Sequence, residues 1–486
     1  MKKIYAQEVA DAVDGTILSG DGSAIISSVS TNSKEIEAGA LFVPIIGERV
    51  NAHRFIDMAL QAGAVATFTS EECENFLPGK VYIKVTDTLA ALQRVAAWYR
   101  SLFTTKVIGI TGSVGKTTTK EMIAAAVETK YKVLKTKGNM NSQVGLPLMM
   151  FYLEEDTEVA VIEMGMSEVG EMSRLAKIAR PDMIVLTNIG VSHIGQLGSQ
   201  ENIRKEKMNI INECTGGNLV FVNGEDELLH ELKQFSEDAK LGIYPKSELF
   251  DEATRRKLSC VKVQEFGADA QCEYYARDVE TVGNGQSFTF VTKDTTEKIE
   301  ISVLGEHNVR NATVALAIAM QLGIVPSVAK AGLKAYQPIA MRGQIYEKDG
   351  VKIIDDTYNA SPDSMKSGIS VLLDTQGVKR RIAVFADVLE LGEVSRVCHY
   401  DVGSYISLAH NSKGEKVDMV LTFGTEAKAI CEAIEESGCG IEAKAFAYKD
   451  QLIAYLKSQV RAGDSILVKG SRGMHMEEVV AELKGE

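Results

Sequence analysis

The chain has 486 residues, 45% of them hydrophobic and 24% charged, and Lys+Arg 53 against Asp+Glu 66 leaves a formal net charge of −13. That length sets an expectation of about three domains, because single cores rarely grow past about 250–300 residues, and the composition excludes collagen-like, low-complexity and wholly disordered chains. The acidic balance argues against a general nucleic-acid binder, which needs a surplus of Lys and Arg, yet leaves room for a local basic pocket.

The start, Met1-Lys2-Lys3, carries the charge of a signal peptide, but Glu8, Asp11 and Asp14 interrupt any apolar core. No stretch approaches the roughly 18 apolar residues of a membrane span. The 7 cysteines are scattered and form no Cys-x-x-Cys pair. That pattern excludes a zinc ribbon or a dithiol pair and fits a reducing compartment. A cytoplasmic enzyme is the expectation.

Short apolar runs alternate with helical periodicity throughout, the mark of parallel sheets with crossover helices, so an α/β fold is expected. In a first unit, residues 1–103, strands are expected at Ala40–Ile46, Ala64–Thr69 and Val81–Val85, and helices at Arg54–Ala62 and Leu89–Phe103. The second helix holds the lone tryptophan, Trp98, read as a core or interface residue. A second unit, 104–324, opens with the strand Val107–Ile110, a glycine-rich turn and a helix through about Lys130. Further strands are expected at Val159–Met164 and Met183–Thr187. A Gly-Asn-Gly turn at 283–285 leads into Ser287–Thr292 and Lys298–Leu304, an antiparallel annex. The helix Asn308–Leu322 ends at Gly323 with Pro326 just beyond, which sets a boundary at 324. The third unit, 325–486, alternates again through Val351–Asp355, Ile382–Phe385, Met419–Phe423, Ala445–Ala447 and Ser465–Val468. It reads as a Rossmann-like domain.

The strongest local signal is Gly109-Ile110-Thr111-Gly112-Ser113-Val114-Gly115-Lys116-Thr117-Thr118, which follows a strand and opens a helix. Its glycines let backbone N–H groups face an anion, the helix N-terminus adds partial positive charge, and Lys116 reaches terminal phosphates. Thr117 supplies the hydroxyl expected on Mg²⁺. The common G-x-x-x-x-G-K-[ST] spacing would put glycine at 110, whereas here it stands at 112. ATP or GTP binding is expected, with kinase, GTPase, motor and ligase all open. No Asn-Lys-x-Asp guanine signature follows the loop.

Ligands of open parallel sheets sit at the carboxyl ends of the strands. The run Val159–Ile162 ends in Glu163, which places a second candidate metal ligand beside the loop. The next strand ends in Asn188 and His193 at the same edge. Lys207 lies in the charged helix Glu201–Ile211 with Ile203, Ile210 and Ile211 around it; on the residues alone, a solvated face is the simpler reading.

These residues resemble the Mur ligase family, and within it the members that add D-alanyl-D-alanine to UDP-N-acetylmuramoyl-tripeptide. The likeness runs through the whole chain in order. It includes the Thr111–Thr118 loop with its glycine at 112, Gly138–Pro147, Leu304–Ala312, Asp355–Met365, Leu389–Glu393 with His399, and Val468–Glu477. In the first unit it includes Thr31–Lys34, Gly39–Pro44, Gly47–Arg49 and His53. Some positions depart from the family's habit: Asn32-Ser33-Lys34, Asn51-Ala52-His53, Asn141-Ser142 and Ala386-Asp387-Val388. Lys34 does not copy a bidentate arginine fork.

The resemblance implies an ADP-forming peptide ligase of peptidoglycan synthesis with three jobs in order: UDP-sugar, ATP, then dipeptide and closure. Alternatives are a relative adding a single amino acid, a folylpolyglutamate-type ligase, or a P-loop phosphotransferase. By resemblance, ATP meets Gly112, Ser113, Val114, Gly115, Lys116, Thr117 and Thr118, with Asn308 and Asn311 on the adenine side, Arg342 at the phosphates and Asp356 at the ribose. Two Mg²⁺ ions fall to Thr117, Glu163, His193 and Lys207, the last as a carbamylated lysine. The UDP-sugar peptide and the dipeptide fall to Ser33, Lys34, His53, Asn139, Asn141, Ser142, Tyr358, Asn359, Ser361, Lys469 and Arg472. A monomer with neither nucleic-acid partner nor membrane span is expected.

Overall fold

The strands Lys106–Thr111, Val159–Glu163 and Met183–Leu186 are buried at nearly every position, which commits them to the middle of a sheet covered on both faces. A computed structural model describing residues 1–246 and 248–486 places them there. From one edge, Val133–Lys135, Val159–Glu163, Lys106–Thr111, Met183–Leu186, Asn218–Asn223, Val261–Gly267 and Tyr274–Val282 run parallel. Gly285–Thr292 and Thr296–Ile301 then continue the 9-stranded sheet antiparallel. The annex is therefore a three-stranded meander. Its first strand, Tyr274–Val282, has no apolar run to announce it, because most of its positions past Ala276 are exposed.

The first unit is a 5-stranded sheet in the order Thr16–Ser19, Val81–Lys84, Ala66–Thr69, Ala40–Phe42, Ser28–Ser30, with only the first pair antiparallel. Its helix Thr88–Ser101 joins it to the central sheet. Tyr99 donates to the Leu153 carbonyl at 3.0 Å, and Arg100 donates to the carbonyls of Ala179, Phe103 and Thr105. One apolar cluster runs through both units, with Trp98 packed against it. The two units share a core.

The third unit is a 6-stranded sheet: Gln344–Lys348 lies antiparallel on Val351–Asp355, and Asp464–Lys469, Arg380–Ala386, Met419–Phe423 and Glu442–Phe446 follow in parallel. The chain enters it later than residue 324. Pro326 stands at the first turn of a helix, Pro326–Ala335, whose Ala329 and Leu333 belong to the central core together with Tyr336. A proline that stops one helix also suits the first turn of the next, since the missing N–H is an orphan there anyway. Among the described residues no helix is long and apolar enough to cross a membrane, and all seven cysteines are free thiols.

Gly332 lets that helix lie on the helix Lys116–Val127 of the central unit: a Cβ there would fall 1.9 Å from the Ala125 carbonyl oxygen. Gly332→Ala is expected to lower unfolding free energy by about 1–3 kcal/mol in urea melts. Ala331→Ser, on the exposed side of the same helix, should stay within about 0.5 kcal/mol of the parent.

Candidate active site

The phosphate loop is held from behind by the end of the neighbouring strand. Gly112 (φ +151°) packs so closely on Thr187 that a Cβ would lie 1.9 Å from its hydroxyl. The Asn188 side-chain carbonyl accepts the N–H groups of Ser113 and Val114 at 3.0 and 2.8 Å, and Thr187 donates to the Val114 carbonyl at 2.6 Å. Gly115 takes the left-handed conformation (φ +85°) and starts the helix Lys116–Val127. The first intrahelical bond runs from Thr119 N–H to the Gly115 carbonyl at 2.8 Å. The amides of the first turn are thereby left for an anion, as at any helix N-terminus.

Around this loop the donors and charges are arranged in layers. Glu163 accepts from the Thr117 hydroxyl at 2.9 Å and from the Asn141 amide at 2.7 Å, and its own N–H donates to Thr136. Lys116 folds back to donate to the Gly112 carbonyl at 2.7 Å; burial, reinforced by the Arg342 charge, lowers its ammonium pKa. Lys207 approaches the same carbonyl from the other side at 3.0 Å and is 2% exposed. Burial, together with repulsion from Lys116, takes its amine well below the ordinary lysine range. The exposed face that its sequence neighbours suggest is not what the fold makes: Lys207 is interior.

The opposite wall comes from the third unit. Arg342 lies 3.9 Å over the Tyr358 ring, and Lys469, 3% exposed, pairs with Asp356 and donates to the Asn359 carbonyl at 3.0 Å. Between the walls is a cavity of about 580 Å³. It is lined by Ser113, Val114, Gly115, Lys116, Thr117, Thr118, Asn139, Asn141, Ser142, Glu163 and His193, and by Asn308, Asn311, Arg342, Asp356, Tyr358, Asn359, Ser361 and Lys469. Residues from two units and from distant parts of the chain thus meet in one cleft of ligand size. Asn311 also accepts from Thr119 at 3.0 Å, bracing the loop's helix.

Other expected site residues lie elsewhere. Lys207 does not line the cavity but backs the loop. Ser33 and Lys34 sit in a turn of the first unit, where Asn32 accepts the Lys34 N–H at 3.1 Å. His53 is interior rather than open to a ligand: its Nε2 accepts the Ser70 N–H at 3.0 Å, and its Nδ1 is 2.8 Å from Asn51 Oδ1. An acceptor Nε2 requires the proton on Nδ1, so the ring is neutral and both nitrogens are used within the unit. Arg472 pairs with Glu477 at 3.0 Å outside the cleft. Thr136, Thr187 and Glu390 also touch the site; in the sequence the first two are marked only by standing just after strand ends, and Glu390 by its place in the Leu389–Glu393 block.

For Mg²⁺, Thr117 and Glu163 offer adjacent hard oxygens on the cavity wall. That suits an ion bound by one or two protein oxygens plus phosphates and water. Among the described residues no three His, Cys, Asp or Glu side chains converge. The protein alone does not build a cage, and His193 turns its Nδ1 to Glu390 at 2.9 Å.

Family models match in chain order: "Mur ligase family, catalytic domain" over residues 25–100, "Mur ligase middle domain" over 110–319 and "Mur ligase, glutamate ligase domain" over 341–472. The chain belongs to the Mur ligase family. It is 36% identical to the UDP-N-acetylmuramoyl-tripeptide–D-alanyl-D-alanine ligase of Bacillus subtilis over 99% of both chains. A crystal structure of MurF from Acinetobacter baumannii superposes with a TM-score of 0.87 at 28% identity, covering 100% of each chain. The MurF ligase of Thermotoga maritima in complex with ADP gives 0.78 at 28% identity, over 94% of this chain and 97% of that one. For this Mur ligase the match to an ADP complex agrees with the loop geometry.

One wall residue carries a pH dependence. His307 packs beneath Gly305, where a Cβ would lie 2.5 Å from the ring. Burial, aided by Arg310 and opposed by Asp356, pushes its pKa down to about 4. The unfolded chain therefore binds this proton first as pH falls, so stability is lost between about pH 6.5 and 4, by at most about 3 kcal/mol. Urea melts across that window should show the loss, and His307→Asn should flatten it.

Proposed function

We propose that the chain is the ligase that joins D-alanyl-D-alanine to UDP-N-acetylmuramoyl-tripeptide with ATP, giving the pentapeptide, ADP and phosphate. The observation that carries this reading is the shared cleft. A phosphate loop on one body faces Asn359, Ser361 and Lys469 on another, in a chain matched end to end by ligases of that name.

The chemistry has to bring a peptide carboxylate to a γ-phosphate, and two anions repel until they are neutralised. Lys116 is poorly solvated in the free chain, so an incoming polyphosphate restores the charge that burial disfavours. The first-turn amides fix the phosphates without reorganisation. Arg342, stacked on Tyr358, adds a guanidinium to the opposite wall, a group suited to phosphate oxygens. Thr117 and Glu163 would hold Mg²⁺, with Glu163, His193 and a carbamylated Lys207 holding a second, and the ions supply Lewis-acid neutralisation of the reacting oxygens. A lysine driven toward the neutral amine is the form that adds CO₂, and Lys207 is such a lysine. Asn308 and Asn311 would take the adenine side and Asp356 the ribose. The Asn359–Ser361 segment, with Lys469, would receive the dipeptide, whose amine attacks the acyl phosphate. Ser33 and Lys34 belong to the UDP-sugar end. Docking of the third unit excludes water, which would otherwise hydrolyse the acyl phosphate.

Phosphate release from ATP is the deciding assay. It should require both UDP-N-acetylmuramoyl-tripeptide and D-alanyl-D-alanine; release indifferent to the dipeptide would favour a simple NTPase and overturn the proposal. Lys207→Ala should lose most activity, on the order of 100-fold for a lost metal ligand, and short-chain carboxylic acids should restore part of it. Full activity in that variant would end the carbamate assignment.

A further inference from the structure

His193 and Glu390 belong to different bodies, yet their side chains meet: Nδ1 of one lies 2.9 Å from Oε2 of the other. Both residues take the left-handed conformation, at φ +64° and +69°. That region is uncommon for non-glycine residues, though histidine enters it more readily than glutamate. The backbones dock as well. Gly195 N–H donates to the Glu390 carbonyl at 3.2 Å, and a Cβ on Gly195 would come within 2.8 Å of that oxygen. Ile194 packs against the third unit's apolar core. The contact is therefore built from both sides, by a side-chain pair and by a backbone approach that a glycine permits.

Nδ1 lies 2.9 Å from the carboxylate but short of an aligned hydrogen bond, so a small ring rotation would complete the bond and leave Nε2 to the cavity that His193 lines. A carboxylate on the far nitrogen fixes the tautomer and orientation of a liganding imidazole and raises its basicity. We propose that Glu390 is a positioning residue for His193, and that this link makes the cleft's histidine competent only while the third unit is docked. The inference rests on the proposed ligase reading for the use to which His193 is put, but the link itself is a property of the free chain. Closure and assembly of the metal-binding edge become one event.

The experiment uses the full chain labelled with ¹⁵N-histidine, at pH 8 where a free imidazole is neutral. The 7 histidines require assignment, and the His193 signal is the one lost in His193→Asn. In the parent chain Nδ1 should carry the proton; in Glu390→Ala the ring should move toward the Nε2–H form that a free imidazole prefers. Amide synthesis by Glu390→Ala should need at least fivefold more Mg²⁺ for half-maximal rate with KM for ATP within twofold of the parent. Glu390→Gln, whose amide oxygen still accepts from Nδ1, should recover most of the loss. A role limited to stability would shift melting without moving the Mg²⁺ requirement. A parent-like tautomer and Mg²⁺ requirement in Glu390→Ala would overturn the proposal. Absence of amide synthesis in the parent would sink the ligase reading instead, and the tautomer would still decide the inference.

Discussion

The arrangement of the cleft depends on one steric constraint, the seating of Gly112 on Thr187. No side chain fits between them, so the loop lies flat against the adjoining strand end and Asn188 can take two of its amides. Those amides are consumed in holding the loop, and the amides of the following turn carry no such partner from Asn188. The Gly112 carbonyl then becomes the point on which Lys116 and Lys207 converge. Burial shifts both toward the neutral amine, with the Arg342 charge adding to it at Lys116 and the Lys116 charge at Lys207. The site stores cationic capacity that only an anionic ligand draws out.

The three units are not joined alike. The first and central units share a core through Tyr99, Arg100 and the helix that carries them. The third meets the central unit through small, close approaches. Gly195 lies against Glu390, and Gly190 so close to Asp363 that a Cβ would fall 2.3 Å from its carboxylate. Glycines at these contacts let the backbones approach closely beside the His193–Glu390 pair and the packed Ile194. Burial raises the Asp363 carboxyl, so this contact carries a desolvation cost of its own. The net charge of −13 is likewise no bar to phosphate binding, because Lys116, Arg342 and Lys469 gather in a single cleft.

Legibility followed locality. The loop from Gly109 to Thr118 could be read because strand, glycines, lysine and helix are consecutive, and each has a steric or electrostatic reason to be there. Glu163 could be read because an apolar run ends on it. Lys207 could not: its helix is charged on most positions, and only the packing of that helix beneath the loop separates it from Lys205. His53 matched a family block, yet its ring is spent on Ser70 and Asn51. The Tyr274–Val282 strand lacked an apolar run, and Pro326 marked an ending while also serving as a beginning.

Sequence alone determined the α/β class, the strand–glycine loop–helix turn, the order of the three units and the kinship, since these reside in local patterns and colinear motifs. Tertiary structure decided which lysine is buried, where the third core begins and that Glu390 meets His193. Those facts arise from contacts between segments far apart in the chain, where burial and approach distance, rather than residue type, set the chemistry.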